Sequence, residues 1–310
     1  MKKKFINTEK IIGRVYSHKL EERTVKDQTS ANFGKAYITG TIEVAVDEEC
    51  LNVIPVHFTY ETGESKKETY DSLKTILTSN RTITAVGKDS AIKVRIDTAL
   101  SVNDFISRDG KPVCVKVNEG GFVSIVTELP TDPEAANKFT VDFLMNKITR
   151  VEADPEKYID EDYAIISGGV FNFKNEYMPV DLIVRNPDGI ALFENLEPSK
   201  SNPVFHKVWG SIECRTKTII KEEESGFGKA AVSSYEKKSK EWVINGCAPL
   251  PYEFDDESTI TKEELVKMLQ DRELLLADIK KKKEERESNG FSAAPTTVKP
   301  VANSSTEFKF

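Results

Sequence analysis

The sequence predicts a mainly β fold of two tandem antiparallel barrels, followed by a C-terminal amphipathic helix and a flexible tail. Short segments of alternating apolar and polar residues, separated by turn residues, fill most of the chain. One helical segment interrupts them in the first half, and the composition changes after Pro251. A chain of 310 residues is long enough for two β domains that each bury a core.

The first half contains six candidate strands and one candidate helix. Apolar residues recur at helical spacing between residues 66 and 77, which predicts a short amphipathic helix. Glycine-containing hairpin turns are predicted at residues 108–111 and 118–121. The predicted strands cover residues 11–20, 36–46, 52–60, 91–100, 113–117 and 122–126.

Three strands, a helix and then further strands is the element order of the OB-fold, a partly open five-stranded barrel that binds oligonucleotides and oligosaccharides. We therefore assign residues 1–130 to an OB-like β-barrel domain. An immunoglobulin-like sandwich also gives short alternating strands with regular turns. The helix at residues 66–77 is the reason to favour a barrel.

The alternation resumes in the second half and predicts another OB-like β domain over residues 131–255. Gly40 and Gly168 lie in similar short segments, each at a point where a strand can bend sharply. Residues 186–189 are typical of a turn, and no clear helix follows the third strand of this half. The predicted strands cover residues 139–151, 163–173, 179–185, 190–196, 204–220 and 242–244.

The C-terminal part of the chain differs in composition. Thr261 and Glu264 form a capping box, which predicts a helix within residues 256–288. Its apolar stripe packs either on the second barrel or on a partner. The first is favoured, because most amphipathic helices bury that face in their own protein. Serine, alanine, proline and threonine dominate residues 289–310, which predicts a flexible tail.

Motifs and composition predict neither catalysis nor a bound metal or cofactor. None of the three histidines lies in a recognisable arrangement with a serine or cysteine motif, and a phosphate-binding glycine loop is missing. The four cysteines are far apart, without a pair in metal spacing. We therefore expect no enzyme activity, no cofactor and no metal site. Neither a membrane-spanning run nor a secretory signal is found, so we expect a cytoplasmic protein without a membrane partner, in the host cytoplasm if it is viral.

The formal net charge of −7 is unevenly distributed along the chain. Residues 1–40 carry a net charge of +5, whereas residues 131–250 carry −5. Phosphate neutralisation by Lys and Arg supplies most of the non-specific affinity of proteins for nucleic acids. The overall charge therefore argues against a simple basic nucleic-acid binder, although the acidic excess lies in the second half.

A group of aromatic and basic side chains emerges when the two faces of each strand are separated, because residues i and i+2 share a face. Tyr37 projects from the polar face of its strand, opposite the face of Ile38. If the strands of the first half are neighbours, one surface of this barrel is both basic and aromatic. The candidate residues of this surface are Arg14, Tyr16, His18, Lys35, Tyr37, Lys93, Arg95 and Lys116.

Two further candidates lie in the second half. Trp209 shares a strand face with charged residues, and Lys229 belongs to a predicted mobile hairpin tip at residues 226–229. Core packing is the commoner role of such a tryptophan. The alternative for the first half is that Tyr16 and Tyr37 are partly buried cross-strand partners and that the cations form an ordinary solvated face.

Aromatic rings beside a basic groove are typical of sites for single-stranded nucleic acid, because bases stack on the rings while cations follow the backbone. The sequence therefore predicts non-catalytic binding of single-stranded DNA in replication or recombination. It does not discriminate DNA from RNA, because that choice depends on contacts to the 2′-hydroxyl. The alternative is a structural or assembly protein, such as a virion component or a protein-binding scaffold, in which exposed aromatic residues serve as interface anchors.

Three stretches of the chain resemble a known family. They are residues 34–42 (GKAYITGTI), residues 241–246 (EWVING) and the helix at residues 261–272. In these stretches and in its layout, the chain resembles the single-stranded-DNA-binding proteins of tailed bacteriophages, which have OB-type barrels, a C-terminal helix and a flexible tail. The resemblance implies contacts with replication proteins through the C-terminal helix or tail. Phe310 resembles the terminal Phe of bacterial members of the wider class, but an acidic run does not precede it.

Overall fold

Ten strands and five helices make up the described part of the chain, which in the computed structural model is residues 5–61, 67–154, 156, 159–223, 231–254 and 260–288. The protein is mainly β with a C-terminal helix, as predicted. The predicted tail at residues 289–310 and the hairpin tip at residues 226–229 lie outside the described residues. In chain order the elements are β1 (Asn7–Thr24), β2 (Ala36–Ala45), β3 (Val53–Glu61), α1 (Lys67–Ser79), α2 (Ile83–Val86), β4 (Lys93–Ile106), β5 (Pro112–Val126), α3 (Pro133–Ala136), β6 (Asn137–Val151), β7 (Tyr163–Phe171), β8 (Tyr177–Val184), α4 (Pro187–Asn195), β9 (Val204–Glu223), β10 (Ala231–Cys247) and α5 (Lys262–Ser288).

The five strands of the first half pair in a closed circle. β1 pairs antiparallel with β2, β2 with β3, and β4 with both β5 and β1. A parallel contact between β3 and β5, at His57 and Glu119, completes the circle. The predicted helix is confirmed as α1, and it packs Leu73 and Ile76 into the core that these strands share.

The strands of the second half repeat this order of pairings. β6 pairs with β7, β7 with β8, and β9 with both β10 and β6, all antiparallel. A parallel contact between β8 and β10, at Ile183 and Val243, completes the second circle. In both halves a helix follows the third strand, α1 in the first and α4 in the second.

The predicted strand at residues 190–196 is wrong, because most of these residues belong to α4. The side chain of Asn186 caps this helix, since its Oδ1 accepts hydrogen bonds from the backbone N–H groups of Asp188 (2.8 Å) and Gly189 (3.2 Å). Ile190 and Phe193 are three residues apart and share the buried face of the helix. The predicted turn at residues 186–189 is therefore the start of a helix.

Two glycines occupy equivalent places in the two halves, where one strand crosses its neighbour closely. A Cβ atom added to Gly40 in β2 would lie 2.0 Å from the carbonyl oxygen of Lys19 in β1. A Cβ atom added to Gly168 in β7 would lie 2.1 Å from the carbonyl oxygen of Leu144 in β6. No side chain fits at either crossing without a backbone shift, which explains the similarity of the two sequence segments.

One of the two predicted hairpin turns is wrong. The turn at residues 108–111 joins β4 to β5, where the N–H of Ser107 donates to the carbonyl of Lys111 (2.8 Å). Residues 118–121 instead lie inside β5, which continues past them. The pairing register between β4 and β5 shifts here, between Asp97 and Ala99. The two glycines therefore form an irregularity in one long strand rather than a reversal between two short ones.

A direct strand pairing joins the two halves. β1 and β6 run antiparallel with Glu9 opposite Phe139, so buried residues of both halves that belong to one hydrophobic cluster lie on the same side of a continuous sheet. On the buried side of the β1–β6 pairing, the indole N–H of Trp242 donates to Oε1 of Glu9 (2.6 Å), and Trp242 itself is fully buried. The ammonium groups of Lys116 and Lys240 lie 5.0 and 4.9 Å from the centroid of the Trp242 ring. Burial raises the pKa of Glu9 to about 7.

Helix α5 contacts both halves of the protein. The predicted capping box is confirmed, since the Thr261 N–H donates to the Glu264 carboxylate (3.0 Å) and the Glu264 N–H donates to the Thr261 hydroxyl (3.2 Å). Leu265, in the first turn, packs in an aromatic cluster of the second half. Further along, Arg272 forms a two-pronged ion pair with Asp104 of β4, and each side chain is only 8% exposed. The start of the apolar stripe thus packs on the protein itself, which is the alternative that the sequence analysis favoured over packing on a partner.

No helix in the described ranges combines the length and the apolar composition needed to cross a membrane.

We expect the stability of the protein to fall as the pH rises from about 4.5 to about 7, because folded Glu9 holds its proton in a range where the unfolded chain releases it. The shift corresponds to about 3 kcal/mol of unfolding free energy. Urea unfolding of the wild type and of Glu9→Gln at pH 5 and pH 8 measures this contribution. The variant should lack it, so an identical pH dependence in both proteins would contradict the assignment.

We also expect Arg272→Met to destabilise the protein by about 3–5 kcal/mol, because it leaves Asp104 buried without its partner. The double variant Arg272→Met/Asp104→Leu should lose much less, since it removes both charges together. Urea unfolding of the two single variants and the double variant completes the cycle. Additive losses would show that the two charges do not interact.

Candidate nucleic-acid interface

The outward sides of three neighbouring strands form one polar surface on the first half. Tyr37 of β2 lies opposite Arg23 of β1, and Thr41 of β2 lies between Lys19 of β1 and His57 of β3. Opposite residues share a side of the sheet, and the alternate positions of β2, such as Ile38 and Ile42, are fully buried on the other side. We call this surface the β2 face; its residues are Lys19, Glu21, Arg23, Lys35, Tyr37, Thr39, Thr41, Glu43, His57 and Thr59.

The middle of the β2 face consists of hydrogen-bonding side chains. The hydroxyl oxygens of Thr39 and Thr59 lie 3.1 Å apart, and the hydroxyl of Thr41 lies 3.5 Å from Nδ1 of His57. His57 and Thr59 are exposed, whereas Tyr37, Thr39 and Thr41 are half-buried. The surface therefore presents one aromatic ring among groups that both donate and accept hydrogen bonds.

Charges of both signs lie along the edges of the β2 face, where Lys19, Arg23 and Lys35 are accompanied by two carboxylates, Glu21 and Glu43. Arg23 binds the Glu21 carboxylate through Nε (3.0 Å) and Nη2 (2.6 Å), which raises the pKa of Arg23. The Lys35 ammonium donates to the neutral side chain of Asn32 (2.9 Å). Within the described part of the chain, Lys19 and Lys35 make no ion pair, so their charges are available to an anion.

The loop that leads into β2 carries an aromatic residue that the sequence-based prediction missed. Phe33 is 55% exposed, and the next residue but one is Lys35. A lone aromatic residue in an otherwise polar, turn-rich stretch was the available signal. The sequence-based prediction also missed Lys19 and His57. His57 could have been found, because it lies between the apolar residues Val56 and Phe58, which are buried, and neighbouring residues of a strand point to opposite faces.

The prediction that Arg14, Tyr16 and His18 share one face is wrong, because β1 contains a bulge at Tyr16. The extra residue reverses the alternation of the strand. His18 consequently lies opposite Ile42, which is fully buried, and partial burial lowers the pKa of His18. Arg14 remains on the outer side, but it pairs with Glu48 (2.8 Å) and its side chain is only 17% exposed.

Lys93 and Arg95 lie on the outer side of β4, away from Tyr37. β4 pairs with residues 9–14 of β1, whereas β2 pairs with residues 14–24, so the two groups occupy opposite ends of β1. Lys93 donates to the carbonyl of Thr127 (2.9 Å), and Arg95 binds the Asp97 carboxylate in two contacts (2.8 and 3.1 Å).

The structure places Lys116 between the two halves rather than on an open groove. Its ammonium donates to the carbonyl of Asp181 in β8 (2.6 Å) and approaches the Trp242 ring, and burial lowers its pKa. Trp209 is half-buried on β9, in the second half. Lys229 lies outside the described residues.

Among the described residues, no three His, Cys, Asp or Glu side chains are close enough together to hold a metal ion.

Comparison with known protein families matches most of the chain. The model of the family described as YorF matches residues 6–282. The chain belongs to the YorF family. No curated protein matches this YorF-family chain.

Several solved structures are similar to this YorF-family chain at low sequence identity. The wild-type single-stranded DNA binding protein from Thermus aquaticus has 10% identity and a TM-score of 0.45, with 83% of this chain and 98% of that chain covered. A deletion mutant of the same protein gives the same identity and TM-score, with 82% and 98% covered. A Replication Protein A heterotrimer bound to single-stranded DNA has 14% identity and a TM-score of 0.22, with 85% and 69% covered. Similarities of this strength assign no ligand to the YorF-family chain.

Proposed function

We propose that this protein binds single-stranded DNA on the β2 face. The proposal rests on the position of Tyr37. Its ring is half-buried on the outer side of β2, with threonines along the same strand and cations at the edges of the face. Bases stack on such rings for roughly 1–3 kcal/mol each, with little dependence on sequence. Phe33, beside the start of β2, supplies a second ring, which is exposed.

The charged and polar groups of the β2 face suit the rest of a nucleotide. Lys19 and Lys35 are free to neutralise phosphates, which supplies salt-dependent affinity. The threonine hydroxyls and His57 offer hydrogen bonds to base edges. These groups suit RNA as well as DNA, so RNA is a necessary competitor in the test.

We infer that each half is an OB-type barrel, over residues 1–130 and 131–255, followed by a helical segment at 256–288 and a tail at 289–310. The inference is supported by the closed circle of five strands, by the parallel contact between the third and fifth strands, and by the helix after the third strand in each half. OB-folds bind oligonucleotides on the face of their second and third strands. In the first half this is the β2 face.

We further propose that the binding serves DNA replication or recombination in the cytoplasm and involves no catalysis or cofactor. Contacts with replication proteins are assigned to α5 and the tail. This assignment is supported by the exposed apolar side chains of Val266, Leu269 and Leu274 on the helix.

The proposal predicts that Tyr37→Ala weakens binding of a labelled single strand of about thirty nucleotides by about tenfold, the loss of one stacked base. Lys19→Gln/Lys35→Gln should lower the slope of log affinity against log salt by about 1.4, since two phosphate contacts are lost. Fluorescence anisotropy at two salt concentrations, with duplex DNA and single-stranded RNA as competitors, measures both effects.

Two variants outside the β2 face serve as matched controls. Phe173→Ala removes a ring that is 91% exposed in the second half, and Lys200→Gln removes an exposed lysine that follows α4. Neither should change the affinity. Absence of wild-type binding at low salt would refute the proposal and favour an assembly protein, in which the exposed side chains of α5 contact partners.

A further inference from the structure

A second outward surface crosses from one half of the protein to the other. β5, β4, β1, β6, β9 and β10 are consecutive in the sheet, because β1 pairs directly with β6. Both cores lie on one side of this sheet, so the other side is continuous across the joint. We call this outer surface the junction face; its residues are Thr8, Lys10, Arg95, Phe122, Lys138, Thr140, Trp209 and Asn245.

A groove of about 740 Å³ follows the junction face. Lys10 of β1 and Lys138 of β6 lie directly opposite each other in its floor. Like charges at opposite positions destabilise a sheet, and neither lysine makes an ion pair within the described part of the chain. An anion between the two ammonium groups would remove this repulsion.

The carboxylates in the groove are partly occupied by other partners. Asp97 lies opposite Lys10, but its two oxygens are held by Arg95 at 2.8 and 3.1 Å. Asp132 caps α3 by accepting from the backbone N–H of Glu134 (3.0 Å), and Glu134 is exposed at the rim. The negative charges of Asp132 and Glu134 remain in the exposed part of the groove lining, and the positive charge of the groove is confined to Lys10 and Lys138.

An aromatic ring lies towards each side of the groove. Phe122 of β5 is 60% exposed. Trp209 of β9 lies against Gly246 of β10, where an added Cβ atom would be 2.7 Å from the indole Nε1. Four strand steps separate β5 from β9, which corresponds to roughly 19 Å at the usual strand spacing. This separation suits several nucleotides of one extended strand rather than a single base held between two rings.

The β2 face and the junction face share the strand β1. Lys10 and Lys19 both lie on its outer side, nine positions apart, or roughly 30 Å at the usual rise per residue. A strand on the β2 face that follows β1 towards its N-terminal end therefore reaches the junction face.

We propose that one DNA strand runs from the β2 face onto the junction face and so engages both halves of the protein. A phosphate lies between Lys10 and Lys138, and bases stack on Phe122 and Trp209. The inference rests on the proposed function and adds to it a second contact surface, which only a long strand reaches.

The test compares oligothymidylates of about eight and about thirty nucleotides, because one barrel's site takes roughly 4–16 nucleotides. Lys10→Gln/Lys138→Gln/Phe122→Ala should weaken binding of the long strand at least about fivefold, and leave the short strand unaffected. The control variant is Lys200→Gln/Phe173→Ala, which removes exposed groups of the same types elsewhere. Fluorescence anisotropy gives both affinities.

Tryptophan emission supplies a second readout, because the chain has two tryptophans and Trp242 is fully buried. The long strand should quench the emission of the wild type but not of Trp209→Phe. The proposal of DNA binding on the junction face would be overturned if the triple variant kept its affinity for both strands, or if binding caused no quenching. The effect of Tyr37→Ala would still test binding on the β2 face separately. A wild type that binds neither strand would overturn both proposals.

Discussion

The direct pairing of β1 with β6 is the constraint on which the rest of the structure depends. It sets Glu9 opposite Phe139 and so fixes both cores on one side of a shared sheet. Because the two halves are held in register, groups from each meet behind the joint. Glu9 accepts from Trp242, and Lys116 reaches a carbonyl of the opposite half. A covalent link alone would not specify these contacts, whereas a backbone ladder does.

The net negative charge of the chain is compatible with two surfaces that carry unpaired lysines, because many carboxylates are matched locally. Asp104 is held by Arg272, and Arg185 in the second half binds both Glu161 and Glu241. Such pairs cancel at short range, so they contribute little field at the surface. Lysines that lack a partner among the described residues, such as Lys19 and Lys138, then determine the local potential. The distribution of unpaired charge is thus more informative than its sum.

Local sequence signals predicted the elements whose causes are local. The helical spacing of α1, the capping box of α5 and the turn at residues 108–111 each depend on residues within a few positions of one another. The bulge at Tyr16 was not predictable in this way, because it is defined by the register of β1 against β2. For the same reason Lys116 looked like a surface cation, although its partner Asp181 lies 65 positions away. The prediction of a strand at α4 was wrong because a dense apolar run fits the spacing of a helix as well as that of a strand. The helix cap at Asn186 was also interpreted as a turn.

The strand pairing between the halves also has a consequence for avidity. When two binding modules are joined by a flexible linker, the effective concentration of the second site depends on linker length, and closing the loop costs entropy. Here the joint is a hydrogen-bonded ladder between β1 and β6, so the separation of the two faces is set by the pleat of a sheet. In the proposed binding mode, a DNA strand that has engaged one half meets the other at a fixed distance and orientation. Such a joint would favour strands long enough to reach both faces over short strands with high affinity for either half alone.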